Sequence, residues 1–153
     1  MQVSKTLDYA VRSLTYMGRH PVNRFSIKEI SENQHIPLNY LAKIMRRLVK
    51  KGIVKSMVGP EGGYILRKPP KEISLREIYE AIEGEFVMID CMDKNTICFL
   101  YENCPQLPFW DKLRLSMIKI LETTTLEDML NQSRIGNLNK HNNSVANDKE
   151  VKL

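Results

Sequence analysis

The sequence predicts a mainly α fold with a small β-hairpin wing: a winged helix-turn-helix followed by a long C-terminal dimerisation helix. Three observations predict it. Leu41, Ile44, Met45, Leu48 and Val49 form one apolar stripe at helical spacing, starting after Pro37. The other face of that helix carries Asn39, Tyr40, Lys43, Arg46, Arg47 and Lys50. Upstream, Ser26-Ile27-Lys28-Glu29 has the form of a capping box and opens a short helix ending near Asn33. The link from Gln34 to Pro37 has room only for a tight helix–helix turn, the helix-turn-helix arrangement. Downstream, Ile53 to Val58 and Tyr64 to Arg67 read as short strands around the turn residues Gly59-Pro60-Glu61-Gly62-Gly63.

The remaining elements follow in chain order. Ser4 caps a first helix running to about Arg19, with Leu7, Ala10, Val11, Leu14 and Met17 on its buried face. Asp8 and Arg12 lie one turn apart on the opposite side, where an ion pair at that spacing is favourable. Pro69-Pro70 breaks the chain, and Ser74-Leu75-Arg76-Glu77 is a second capping box that opens a helix to about Glu83, with Gly84 as its C-cap. Phe86 to Pro108 is the least regular stretch. From Phe109 a long helix resumes, with Trp110, Leu113, Met117, Ile120 and Leu121 at helical spacing, and Thr125 starts one more short helix. An amphipathic helix outside the small core needs its own burial partner, and the matching helix of a second copy supplies one. The tail from about Gly136 is too polar to fold. The expected organisation is therefore a DNA-binding unit at 1–70, a short helix and cysteine loop at 71–108, a dimerisation region at 109–135 and a disordered tail at 136–153.

Charge narrows the function. Residues 1–70 hold 13 Lys/Arg against 4 Asp/Glu, and the remainder holds 10 against 14. The basic half is the half with the helix-turn-helix, the electrostatic footprint that binding to double-stranded DNA requires. A membrane surface is disfavoured, because no basic amphipathic helix carries bulky aromatics on its apolar side. No signal-peptide core or run of membrane-spanning length is visible, so the cytoplasm is the expected compartment. No Walker loop, Rossmann glycine set or nucleophile motif occurs, which argues against an enzyme.

All three cysteines fall in the irregular stretch. Six residues separate Cys91 from Cys98 and five separate Cys98 from Cys104. Three thiols cannot close into a disulfide set. Thiolates attract soft metals, so the cluster reads as a site for zinc or an iron–sulfur group, and the spacing alone leaves the metal open.

Several pieces occur together in order: Asp8-Tyr9-Ala10-Val11-Arg12, Ile30-Ser31-Glu32, the run from Tyr40-Leu41 through Arg47-Leu48 to Gly52-Ile53-Val54, the turn Gly59 to Tyr64, and the three-cysteine loop followed by Trp110. Together they resemble the IscR/NsrR/RirA-type family of bacterial winged-helix regulators, over Met1 to about Asn131. The resemblance implies a homodimer that crosses its long helices on a palindromic operator. It also implies an iron–sulfur cluster, 2Fe–2S or 4Fe–4S, that reports nitric oxide, iron or cluster supply, or redox state by changing operator affinity. Carried over, Cys91, Cys98 and Cys104 would be the three cluster thiolates. The position where some members place a ligating histidine is Leu107 here. Nitric-oxide-sensing relatives can instead use a first-helix aspartate of the other subunit, and Asp8 falls at that position. The resemblance therefore implies Asp8 as the favoured fourth ligand, with His35 near the helix-turn-helix the lesser candidate.

For DNA contacts the expected residues are Asn39, Tyr40, Lys43, Arg46, Arg47 and Lys50 from the helix, Gly62, Gly63 and Tyr64 from the wing, and Ser26 at a helix N-terminus. Glu61 stands in the wing where a small or basic residue would suit a phosphate better. Repression is expected over activation, since an operator-bound dimer blocks polymerase without further contacts. Two alternatives remain at this level. One is a regulator of the same fold that uses zinc or thiol oxidation, and the other is a non-catalytic scaffold using the winged helix to bind protein.

Overall fold

The computed structural model describes residues 3–92, 95 and 97–132. The expected tail from Gly136 lies outside the described residues. Helix α1 spans Lys5–Gly18, α2 Ile27–Gln34 and α3 Leu38–Lys50, and strands β1 Val54–Met57 and β2 Gly63–Leu66 follow. Helix α4 is Leu75–Ile82 and α5 is Leu107–Thr123. A last helical stretch, α6, covers 126–132.

Helix starts follow the serines. The Leu7 amide donates to Ser4 Oγ at 3.0 Å, and the Glu29 amide donates to Ser26 Oγ at 3.0 Å. At Ser74 both halves of the capping box are present: the Glu77 amide donates to Ser74 Oγ, and the Ser74 amide donates to the Glu77 carboxylate at 3.0 Å. The box expected at Ser26 differs in its second half. Glu29 lends its carboxylate to the Tyr16 hydroxyl at 3.2 Å, which ties α2 to α1. Helix α2 runs one residue further than expected and ends at His35, whose backbone is left-handed (φ 52°, ψ 46°).

Ala10, Leu14 and Met17 of α1, Ile30 of α2, and Leu41, Ile44, Met45 and Leu48 of α3 are fully buried. They join Phe25, Ile53, Val54 and Leu66 of the wing side and Ile73, Ile78, Ala81 and Ile82 around α4 in one core. That core continues past residue 70. Leu126 completes it from the far end of the chain: its amide donates to the Ile73 carbonyl at 2.8 Å, and the Leu75 amide donates to the Thr124 carbonyl at 2.9 Å. Ser13 is the buried polar residue among them, its hydroxyl returning to the Tyr9 carbonyl at 2.7 Å.

The wing is an antiparallel hairpin pairing Val54 with Leu66 and Met57 with Gly63. Strand β1 is shorter than the sequence pattern predicts, because Val58 turns out to solvent and Gly59 adopts φ 120°, while β2 keeps the expected length and starts one residue earlier. A third piece joins it: Phe25 and Tyr64 exchange both backbone hydrogen bonds, at 3.0 and 2.8 Å. Helix α5 begins two residues before Phe109, since Pro108 fits a first turn that needs no amide donor. No residue of α5 is fully buried, while Phe109, Leu115 and Ile120 are each more than half exposed. No helix among the described residues is long and apolar enough to cross a membrane.

Candidate DNA-binding face and cysteine loop

Burial of the α3 stripe leaves Asn39, Lys43, Arg46 and Lys50 exposed on the outer side of the helix. These four form an amide-and-cation face with no acidic residue among them, suited to base edges and phosphates. Lys50 and Arg47 also lie in the last turn of α3, where cations complement the helix dipole.

Two of the expected contacts are engaged inside the molecule. The Tyr40 ring meets Tyr9 edge-on, with centroids 5.6 Å apart, and its hydroxyl lies 2.7 Å from Thr6 Oγ1. Arg47 Nη1 donates to the Ile82 carbonyl at 2.9 Å, tying α3 to the last turn of α4. Both residues sit on the flanks of α3, facing α1 and α4. The sequence pattern marked them as polar without showing that these neighbours stand beside them.

The wing glycines have local reasons to be glycine. A Cβ on Gly63 would fall 2.6 Å from the Phe25 carbonyl oxygen, and one on Gly62 would fall 2.9 Å from the carbonyl oxygens of Met57 and Gly59. Tyr64 carries the bridge to Phe25 and packs its side chain against the core. Ser26, although exposed, uses its hydroxyl as the α2 cap. Arg24 was absent from the expected set. Its Nη1 donates to the Glu61 carbonyl at 2.5 Å, reaching the wing turn from the loop between α1 and α2.

In the loop after α4, Cys91, Cys98 and Cys104 are all free and partly buried. Short 3₁₀ turns lie at Asp90–Met92 and Tyr101–Asn103. The Cys91 thiol is pushed above its ordinary pKa by burial and then by the neighbouring Cys98 and Cys104 thiols. Among the described residues, no group of three or more His, Cys, Asp or Glu side chains stands in metal-holding geometry. Leu107 takes its place in the first turn of α5, its amide donating to the Cys104 carbonyl at 3.3 Å.

Neither candidate fourth ligand joins the cysteines within the chain. Asp8 is paired with Arg12 at 2.6 Å on the exposed side of α1, and this hydrogen bond raises the Arg12 pKa. Arg12 also donates to the Gln34 carbonyl at 3.2 Å and lies 5.0 Å from the centre of the Tyr9 ring. Asp8 edges an apolar groove of about 250 Å³ lined by Leu7, Val11, Leu75, Tyr79 and Leu121. His35 is an exposed helix cap.

A helix-turn-helix closed by a hairpin, with a basic outer face on its second helix, defines a winged-helix DNA-binding protein. Residues 3–132 match the model of the Rrf2 family, described as iron-dependent transcriptional regulators, and the chain belongs to that family. The HTH-type transcriptional regulator NsrR of Oceanobacillus iheyensis is 33% identical over 132 residues, covering 85% of this chain and 90% of the relative. IscR of T. potens superposes with a TM-score of 0.70 at 29% identity, covering 87% of this chain and 88% of that one. The oxidized form of Staphylococcus aureus CymR gives 0.67 at 26% identity, covering 85% and 96%. The protein is a DNA-binding transcriptional regulator, and the scaffold alternative gives way to it.

Proposed function

We propose that this regulator is a cytoplasmic homodimeric repressor whose affinity for a palindromic operator is switched by an iron–sulfur cluster on Cys91, Cys98 and Cys104. The observation that carries the reading is that all three cysteines are free and grouped in one loop, with Cys98 and Cys104 near enough to Cys91 to raise its pKa. By chemistry they suit such a group, being three free, soft sulfurs, although among the described residues of one chain they do not stand in metal-holding geometry. Kinship with NsrR and IscR supports the same reading. Bound there, the cluster would supply a centre that reacts with nitric oxide or oxidants and is lost when iron is scarce.

The rest of the switch belongs to this chain's own residues. Asp8, delivered from the second copy, is the favoured fourth ligand, and an oxygen donor is the more readily displaced corner of a thiolate set. Only Oδ2 of the carboxylate is paired with Arg12, and drawing charge to a metal at the other oxygen would loosen that pair. The same guanidinium also holds the end of α2 through Gln34 and lies over Tyr9, the ring that supports Tyr40 of α3. Ligation at Asp8 and the seating of α2 and α3 are therefore linked through one arginine.

An anaerobic absorption spectrum with iron and acid-labile sulfide counts tests the reading, on protein purified without reconstitution. Visible absorption with stoichiometric iron and sulfide is expected, and Asp8→Ala should alter the spectrum or the stability of the colour. A protein that stays colourless after anaerobic reconstitution would remove the cluster. The oxidized form recorded for the CymR structure then favours the second reading, in which the same thiols respond by oxidation or by binding zinc.

A further inference from the structure

The wing turn carries no cation of its own. From Val58 to Gly63 it reads Val-Gly-Pro-Glu-Gly-Gly, and its charged residue is the acidic Glu61. Val58 is 99% exposed, so the turn offers solvent an apolar side chain and a carboxylate. Such a surface gains nothing from a polyanion, and a carboxylate close to phosphates is repelled.

Arg24 supplies what the turn lacks. The Phe25–Tyr64 bridge lays the loop before α2 alongside β2, so Arg24 stands one residue from the paired position. Its Cγ comes within 3.1 Å of where a Cβ on Gly63 would be, so the stem of the arginine crosses the strand where the side chain is missing. Its Nη1 ends on the Glu61 carbonyl at 2.5 Å. That bond uses one of five guanidinium N–H donors, and the residue as a whole is exposed. The anchor is the backbone oxygen of residue 61, so the cation's position is set by the turn's conformation.

We propose that Arg24 makes the wing's DNA contact, holding a backbone phosphate of the operator with a guanidinium docked on the wing turn. The planar fork can keep the Glu61 carbonyl with one edge and bind phosphate with another, which a lysine ammonium does less well. The wing turn is then a composite, with its frame from β1 and β2 and its cation from the loop between α1 and α2. The proposal rests on the DNA-binding reading of α3 and the wing.

The test takes wild type, Arg24→Ala and Arg24→Lys, and a duplex that wild type itself selects from a randomised library, titrated across a salt series. For Arg24→Ala the expected result is weaker binding and a plot of log K against log salt flatter by about 0.9 per bound protomer, with a single cooperative melting transition retained. Arg24→Lys should keep the wild-type slope, because charge is retained. A loss of affinity with an unchanged slope would make Arg24 a staple of the wing only and overturn the proposal, as would binding identical to wild type. If wild type selects no duplex, the DNA-binding reading fails and takes this proposal with it.

Discussion

Gly63 shows how a packing demand can stand beside an expected contact. Its place in the wing turn marks it as a DNA contact in the sequence, yet the Phe25 carbonyl oxygen occupies the space where a side chain would begin. Close backbone approach accounts for the glycine without any ligand. Gly63→Ala should therefore cost about 1–3 kcal/mol of stability, the range for forcing an extra carbon into a packed contact. Thermal and urea unfolding would measure it, and an unchanged midpoint would show that the bridge moves aside freely. The same scale separates the outer face of α3 from its flanks. Asn39, Lys43, Arg46 and Lys50 are exposed away from the core, whereas Tyr40 and Arg47 already have partners in Thr6, Tyr9 and Ile82. Periodicity separates polar from apolar positions but is silent on which polar ones face a neighbouring helix.

Among elements, what was legible is what depends on local chemistry. Ser4, Ser26 and Ser74 announce three helix starts, and the α3 stripe announces the face that is buried. What was not legible depends on contacts far apart in sequence. Glu29 is drawn to Tyr16, Phe25 joins the hairpin, and the chain after α5 returns to seat Leu126 beside Ile73. The link from Arg47 to Ile82 belongs to the same group, and it gives α3 a mechanical tie to the helix that leads into the cysteine loop. Arg47→Ala should lower stability by about 1 kcal/mol, the worth of one such hydrogen bond. It should also weaken binding by a similar factor on specific and non-specific duplexes. A loss confined to one base position would instead make Arg47 a base reader.

Across the whole molecule, the N-terminal half carries the basic face and the C-terminal half carries the thiols and an unsatisfied helix. Helix α5 has no fully buried residue and leaves Phe109, Leu115 and Ile120 open, which fits a helix completed by a second copy. A second copy would also be the source of the Asp8 that the cysteines of one chain do not meet. The cysteine spacing pointed to a metal-type site, but which fourth group completes it was not legible, because that depends on a surface outside the chain. On the proposed reading, DNA affinity depends on what the three thiols hold. The measurement that tests this most directly is duplex affinity by fluorescence anisotropy, under anaerobic conditions, on one preparation before and after titration with nitric oxide. A tenfold or greater change in Kd, tracking the loss of visible absorption and absent from Cys98→Ala, is the predicted result. An affinity that stays constant while the absorption disappears would contradict the account.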